Sequence, residues 1–165
     1  MKIQAHFTSK DNKLFFLDGR ECSSLSNSIK MSAADCNQSV LIEENSFFII
    51  NLSWQLIGKS EDSYDEAFLA GLRDFLKKMD SLSSFAVIDV VSDSALTEES
   101  QKDDFIASIK HCARRIKDCS SVIGFVIPKE VERETFCSAL LEKHSHYIFC
   151  SSDNDVLQND KIVRL

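Results

Sequence analysis

Three segments of this chain repeat one plan at nearly one spacing. Phe47–Leu52, Phe85–Val91 and Val122–Ile127 are apolar runs whose first residues stand 38 and then 37 positions apart. Runs of this kind fit strands covered on both faces. Between them lie two helical stripes: Phe68, Leu69, Leu72, Phe75, Leu76 and Met79, then Phe105, Ile106, Ile109, Cys112, Ala113 and Ile116, offset by 37. Each set falls on a single side of a helix. A strand–helix unit recurring at fixed length implies neighbouring copies of one supersecondary module. Parallel strands need long crossover connections, and helical crossovers lie on the faces of the sheet. The predicted fold is α/β, with a mostly parallel sheet of about four βα-type strands and helices packed on it.

The rest of the chain is read around that frame. Ile3, Ala5 and Phe7 alternate as in a half-buried strand, Ser9–Asn12 has turn chemistry, and Leu14–Leu17 returns, which predicts an N-terminal β-hairpin. Residues 20–38 are polar and Ser-rich and read as a loop, and Val40–Ile42 reads as a short strand. Ser63 followed by Glu66 has the form of a capping box that starts the first long helix. A shorter helix turns Phe136, Leu140 and Leu141 inward, Tyr147–Cys150 forms a fourth strand, and Lys161–Leu165 adds an edge strand. At 165 residues this is a single α/β domain over 1–165, with a hairpin and loop in 1–45 and the βα repeats in 46–165.

Composition narrows the function classes. Nineteen Lys and Arg against twenty-six Asp and Glu leave a net charge of −7, unsuited to a nucleic-acid surface that works by counterion release. Four Gly and one Pro disfavour a many-turned all-β design. No apolar run reaches membrane-spanning length, and the first residues lack a secretory signal, so the expected location is cytoplasmic, with no membrane partner. Six Cys without a CxxC pair fit reduced, buried thiols of that compartment.

Several motifs bear on chemistry. Gly58-Lys59-Ser60 mimics the end of a phosphate loop, but Ser53 stands where the leading Gly belongs and bulky residues fill the interval; it reads as a turn. His144, His146 and Cys150 lack a fourth ligand, so no metal is expected, and nothing calls for a cofactor. Lys110, Arg114 and Lys117, with His111 and Arg115 beside them, read as a solvated helix face rather than a site for an anionic partner. No G-x-S-x-G elbow exists and no Cys stands beside a His at a strand end, so a nucleophile relay has no support. Asn51, Trp54, Asp89, Asp93 and Glu130 all fall at or just after strand ends. A parallel sheet gathers them at one edge, where two carboxylates about 5–5.5 Å apart serve glycoside cleavage and an aromatic stacks on sugar.

Residues 112–131, running from Cys112 through Val122–Ile127 to Glu130, resemble the fourth strand and lead-in helix of family 5-type glycoside hydrolases, whose strand ends Asn-Glu-Pro. The stretch from Trp54 through Tyr64–Leu69 to Asp89 is similar to the second and third barrel units, and Leu14–Arg20 to the N-terminal hairpin. The resemblance places Glu130 at the acid/base position; the strand-end reading adds Asp89 as the second catalytic carboxylate and Trp54, Asn51 and Asp93 as ligand-binding residues. Lys129 and Val131 replace the family's Asn and Pro. The family's nucleophile comes from a later strand than this chain supplies, and a closed barrel takes about 250 residues. The resemblance therefore implies a shortened, degenerate glycosidase-like half-barrel, non-catalytic and carbohydrate-binding. The same element order also resembles a STAS regulatory domain, a protein-interaction module phosphorylated after its middle strand; Ser92 and Ser94 fall there, in Val91-Ser92-Asp93-Ser94-Ala95-Leu96, without the family's Gly. The exposed sheet edges of a half-barrel imply a homodimer that pairs or buries them.

Overall fold

The computed structural model describes residues 3–37 and 39–165. It is α/β, with a six-stranded parallel sheet, four helices and an antiparallel N-terminal hairpin. The hairpin is β1 (Phe7–Lys10) and β2 (Lys13–Phe16). The sheet strands are β3 (Ile29–Ser32), β4 (Phe47–Ser53), β5 (Phe85–Val91), β6 (Val122–Val126), β7 (Ile148–Ser151) and β8 (Val163–Arg164). The helices are α1 (Trp54–Ile57), α2 (Glu66–Ser81), α3 (Glu99–Arg115) and α4 (Arg133–Leu141).

Strand order in the sheet is strand order in the chain, from β3 to β8. A sheet that grows in one direction through crossovers of one hand receives every helix on the same side. The core divides accordingly. Phe48, Ile50, Leu52, Ile88, Val90, Phe125 and Phe149 pack with the buried stripes of α2, α3 and α4. The alternate residues Phe47, Val87, Ile123, Ile148 and Cys150 pack with Phe7, Leu14, Cys22 and Leu25. The sheet thus has a helix face and a hairpin face. The hairpin turn has Asp11 and Asn12 at positive φ. Asn12 Nδ2 donates to the carbonyls of Asn159 and Ile162 at 2.9 and 2.8 Å, and Arg164 N donates to the Asn12 carbonyl at 2.9 Å. This clasp joins the hairpin to the last strand.

The predicted strands at 47, 85 and 122 and the two long stripes form as expected, with Phe68 and Ile106 only partly buried. Other details differ. Residues 29–32, assigned to a loop, form the edge strand β3, because Ile29 and Met31 alternate with Lys30 and Ser32 over only four residues. Val40–Ile42 is irregular, with Leu41 in solvent and no strand pairing among the described residues. The hairpin begins at Phe7, so Ile3 and Ala5 precede it. Asp65, not Ser63, caps α2 by accepting from Phe68 N at 2.9 Å, while Ser63 closes a turn with Ser60. Leu141 is 41% exposed, since α4 ends there and only Phe136 and Leu140 reach the core.

Candidate functional site at the carboxyl ends of the strands

Strands β4 and β5 are in register, so Asn51 and Asp89 are direct neighbours. Both belong to the hairpin-face parity, and β4 and β5 carry Phe47 and Phe85 on that face at their other ends. Phe7 packs edge-on to both rings, at 5.6 and 5.0 Å between centroids. The hairpin therefore fills the amino-terminal end of this face and leaves the polar pair at the carboxyl end. Lys30, from β3 on the far side of β4, and Glu130, in the turn after β6, both act on Asp89 electrostatically. Burial pushes the Asp89 carboxyl above its ordinary value; the neighbouring Glu130 charge pushes the same way and Lys30 opposes. Asn51 is half-buried and Glu130 exposed.

Trp54 and Asp93 lie apart from this trio. Trp54 is 4% exposed, its ring edge-on to Phe105 at 5.2 Å and its Nε1 donating to Ser108 Oγ at 2.9 Å. The expected sugar-stacking platform is thus a core residue, because its place after β4 turns it to the helix face. Lys59 Nζ sits 5.1 Å from the Trp54 ring centroid and 2.9 Å from Asp93 Oδ1, which holds the Asp93 carboxyl below its usual range. Gly58 has φ of +106°, and a Cβ there would collide with the Ser63 backbone. Gly58-Lys59-Ser60 is accordingly a tight turn. Ser92 Oγ donates to the Ser94 carbonyl at 2.6 Å, and Ser94 is exposed.

The remaining candidates resolve simply. Among the described residues no group of three or more His, Cys, Asp or Glu is placed to hold a metal ion. Burial pushes the His144 and His146 imidazoles down. All six cysteines are free, and burial pushes Cys36, Cys112, Cys119 and Cys150 up to about 12. Among the described residues no helix is long and apolar enough to cross a membrane. Sequence reasoning missed Lys30, whose only signal was the Ile-Lys-Met-Ser alternation inside a polar stretch, and the pairing of Lys59 with Asp93.

The Asp89 environment predicts a pH-dependent stability. A carboxyl with a raised folded-state pKa binds its proton more tightly folded than unfolded, so stability falls as pH rises from the ordinary value of 3.8 through the folded one. Asp89→Asn removes that penalty. It should melt above wild type at pH 7, with the gain fading towards pH 4. An equal or lower melting temperature at pH 7 would show Asp89 to be comfortably solvated.

The fold and site define a singly wound parallel α/β domain with a polar cluster at the carboxyl edge of its hairpin face. Neither a protein-family model nor a curated protein sequence matches the chain significantly.

Proposed function

We propose that this chain is a glycosidase-like βα-barrel sector that binds a carbohydrate without cleaving it. Two features of the sheet support the reading: the strands run parallel in chain order, and all the long helices lie on one side, as in a sector of a βα barrel. The observation that carries it is the pairing of Asn51 with Asp89 at the carboxyl ends of β4 and β5, within electrostatic reach of Glu130 on the turn after β6, where barrels of this type place their chemistry. Asn51 offers both donors and an acceptor, and the carboxylates accept, which suits a run of sugar hydroxyls. Hydrolysis asks for more. A general acid needs an enclosed carboxyl that keeps its proton, whereas Glu130 stands exposed on a turn next to Lys129. Trp54 supplies no stacking face.

Calorimetric titration with a panel of oligosaccharides tests the proposal. We expect saturable heat for at least one glycan, at least tenfold weaker binding in Asn51→Ala, and no release of chromophore from aryl glycosides. No heat from any glycan would remove carbohydrate binding.

A second reading, a STAS-like regulatory domain, is favoured by one observation: Ser94 is exposed just after β5. A kinase-dependent mass increase mapped to Ser92 or Ser94 would support it.

A further inference from the structure

On the helix side of the sheet, away from Asp89, a groove of about 680 Å³ follows α3 from Asp104 to Arg114, a distance of about 15 Å at 1.5 Å per residue. The turn containing Lys59–Tyr64 forms one wall and the end of α4 the other. Ala107 and Ala139 line it with methyl groups only, so a ligand lies close against both helices. Its two ends differ in chemistry. Ser60, Glu61, Asp104 and a Lys59 already paired with Asp93 belong to the end where α3 begins, and Lys110, Arg114 and Lys143 to the end where α3 and α4 finish.

The cationic end is under-neutralised. Lys110 and Lys143 share the single carboxylate of Glu142, each at 3.7 Å, well beyond the 2.7–2.9 Å of a strong charged hydrogen bond. Arg114 has no carboxylate partner among the described residues; its Nη2 meets His111 Nδ1 at 3.2 Å. A guanidinium can only donate, so Nδ1 accepts and the ring proton sits on Nε2, which donates to Glu66 Oε1 at 2.7 Å. Tyr64 stacks on the same imidazole at 4.1 Å and 21°. Glu66 is itself held by Arg115 Nε at 2.9 Å. His111 is thus fixed by ring, carboxylate and guanidinium, and it anchors Arg114 at the groove wall with other N–H donors to spare. At this end Lys110, Arg114, Lys143 and Arg115 face two carboxylates, Glu142 and the Glu66 that Arg115 neutralises, a local excess of two positive charges in a chain of net charge −7.

We propose that this groove is a second binding site, specific for a phosphomonoester with a hydroxyl-rich body. A phosphomonoester carries close to two negative charges at neutral pH and three terminal oxygens, which match the two uncompensated charges and the guanidinium fork. A carboxylate ligand would bring one charge and duplicate what Glu142 already supplies. The body then lies along the alanine-lined stretch, and its hydroxyls reach Ser60, Glu61 and Asp104.

The test is a titration of the full-length, ¹⁵N-labelled chain at constant ionic strength, first with inorganic phosphate and then with a hexose 6-phosphate. Saturable shifts are expected at the amides of 107–114 and 139–143, with the hexose phosphate binding at least tenfold tighter than inorganic phosphate. Arg114→Ala, at an exposed position that leaves the circular dichroism unchanged, should weaken binding at least tenfold, and Lys13→Ala, on the hairpin across the sheet, should not alter it. Shifts that rise linearly without saturating, equal shifts with unphosphorylated hexose, or unchanged affinity in Arg114→Ala would each overturn the proposal. A hexose phosphate no tighter than inorganic phosphate would overturn the role given to the alanine-lined stretch. Because Asp89 lies on the other face of the sheet, failure here leaves the carbohydrate reading untouched.

Discussion

Phe75→Asp should leave the chain without a cooperative thermal transition. Phe75 is 1% exposed in the middle of the α2 stripe, between Leu72 and Met79 and against the helix face of the sheet. Truncating such a ring costs about 3–5 kcal/mol. A carboxylate in its place adds the cost of an unpaired buried charge or of the proton needed to neutralise it. Domains of this kind hold about 5–15 kcal/mol in total, so the sum reaches the whole stability. The expected result is loss of the near-ultraviolet dichroism and a flat calorimetric trace, without a change limited to ligand binding. A variant that melts within a few degrees of wild type would mean that α2 does not face the sheet.

Gly124→Ala, the smallest substitution available, should cost nearly as much. Gly124 is paired with Ile148 across β6 and β7, and a Cβ built on it would fall inside the Ile148 carbonyl. The obstacle is backbone, which cannot rotate out of the way as a side-chain tip can, so the two strands must separate. Separation breaks the ladder from Gly124 to Val126 and opens the hairpin-face core around Ile123 and Cys150. We expect a loss of about 4 kcal/mol or more, in the range that marks a specific steric failure, read as a fall of about 10 °C or more in melting temperature. A near-wild-type melting temperature would show that β6 and β7 do not approach closely at this point. The strand also admits one extra residue, Ile123, between the partners of Ala86 and Val87. That bulge brings Ile123 to the hairpin face beside Val87.

Legibility followed the range of the interactions involved. The β5 strand could be read residue for residue because Phe85–Val91 is long, apolar and bounded by polar turns. The α2 stripe could be read because five of its six positions are buried at helical spacing. β3 could not, because four residues of alternation inside a Ser-rich stretch carry little periodic signal and the strand exists by pairing with β4. The site was half legible. Asn51, Asp89 and Glu130 could be named from their places at strand ends, whereas Lys30 needed β3, and the side to which Trp54 turns is set by its packing on Phe105 and Ser108.

From the amino-acid order alone came the local alternatives: which segments extend, which coil, where each turns, and which side chains share a helix stripe. These depend on repeats of two and 3.6 residues, which a strand or helix imposes on its own neighbours. Only the tertiary structure decided that the strands add in chain order and that all long helices share one face. It also decided that the hairpin closes the amino-terminal end of the other face, leaving Asp89 between Lys30 and Glu130 at the opposite end. Those outcomes depend on contacts between residues tens of positions apart, and no short-range period records which of two faces a side chain will finally meet.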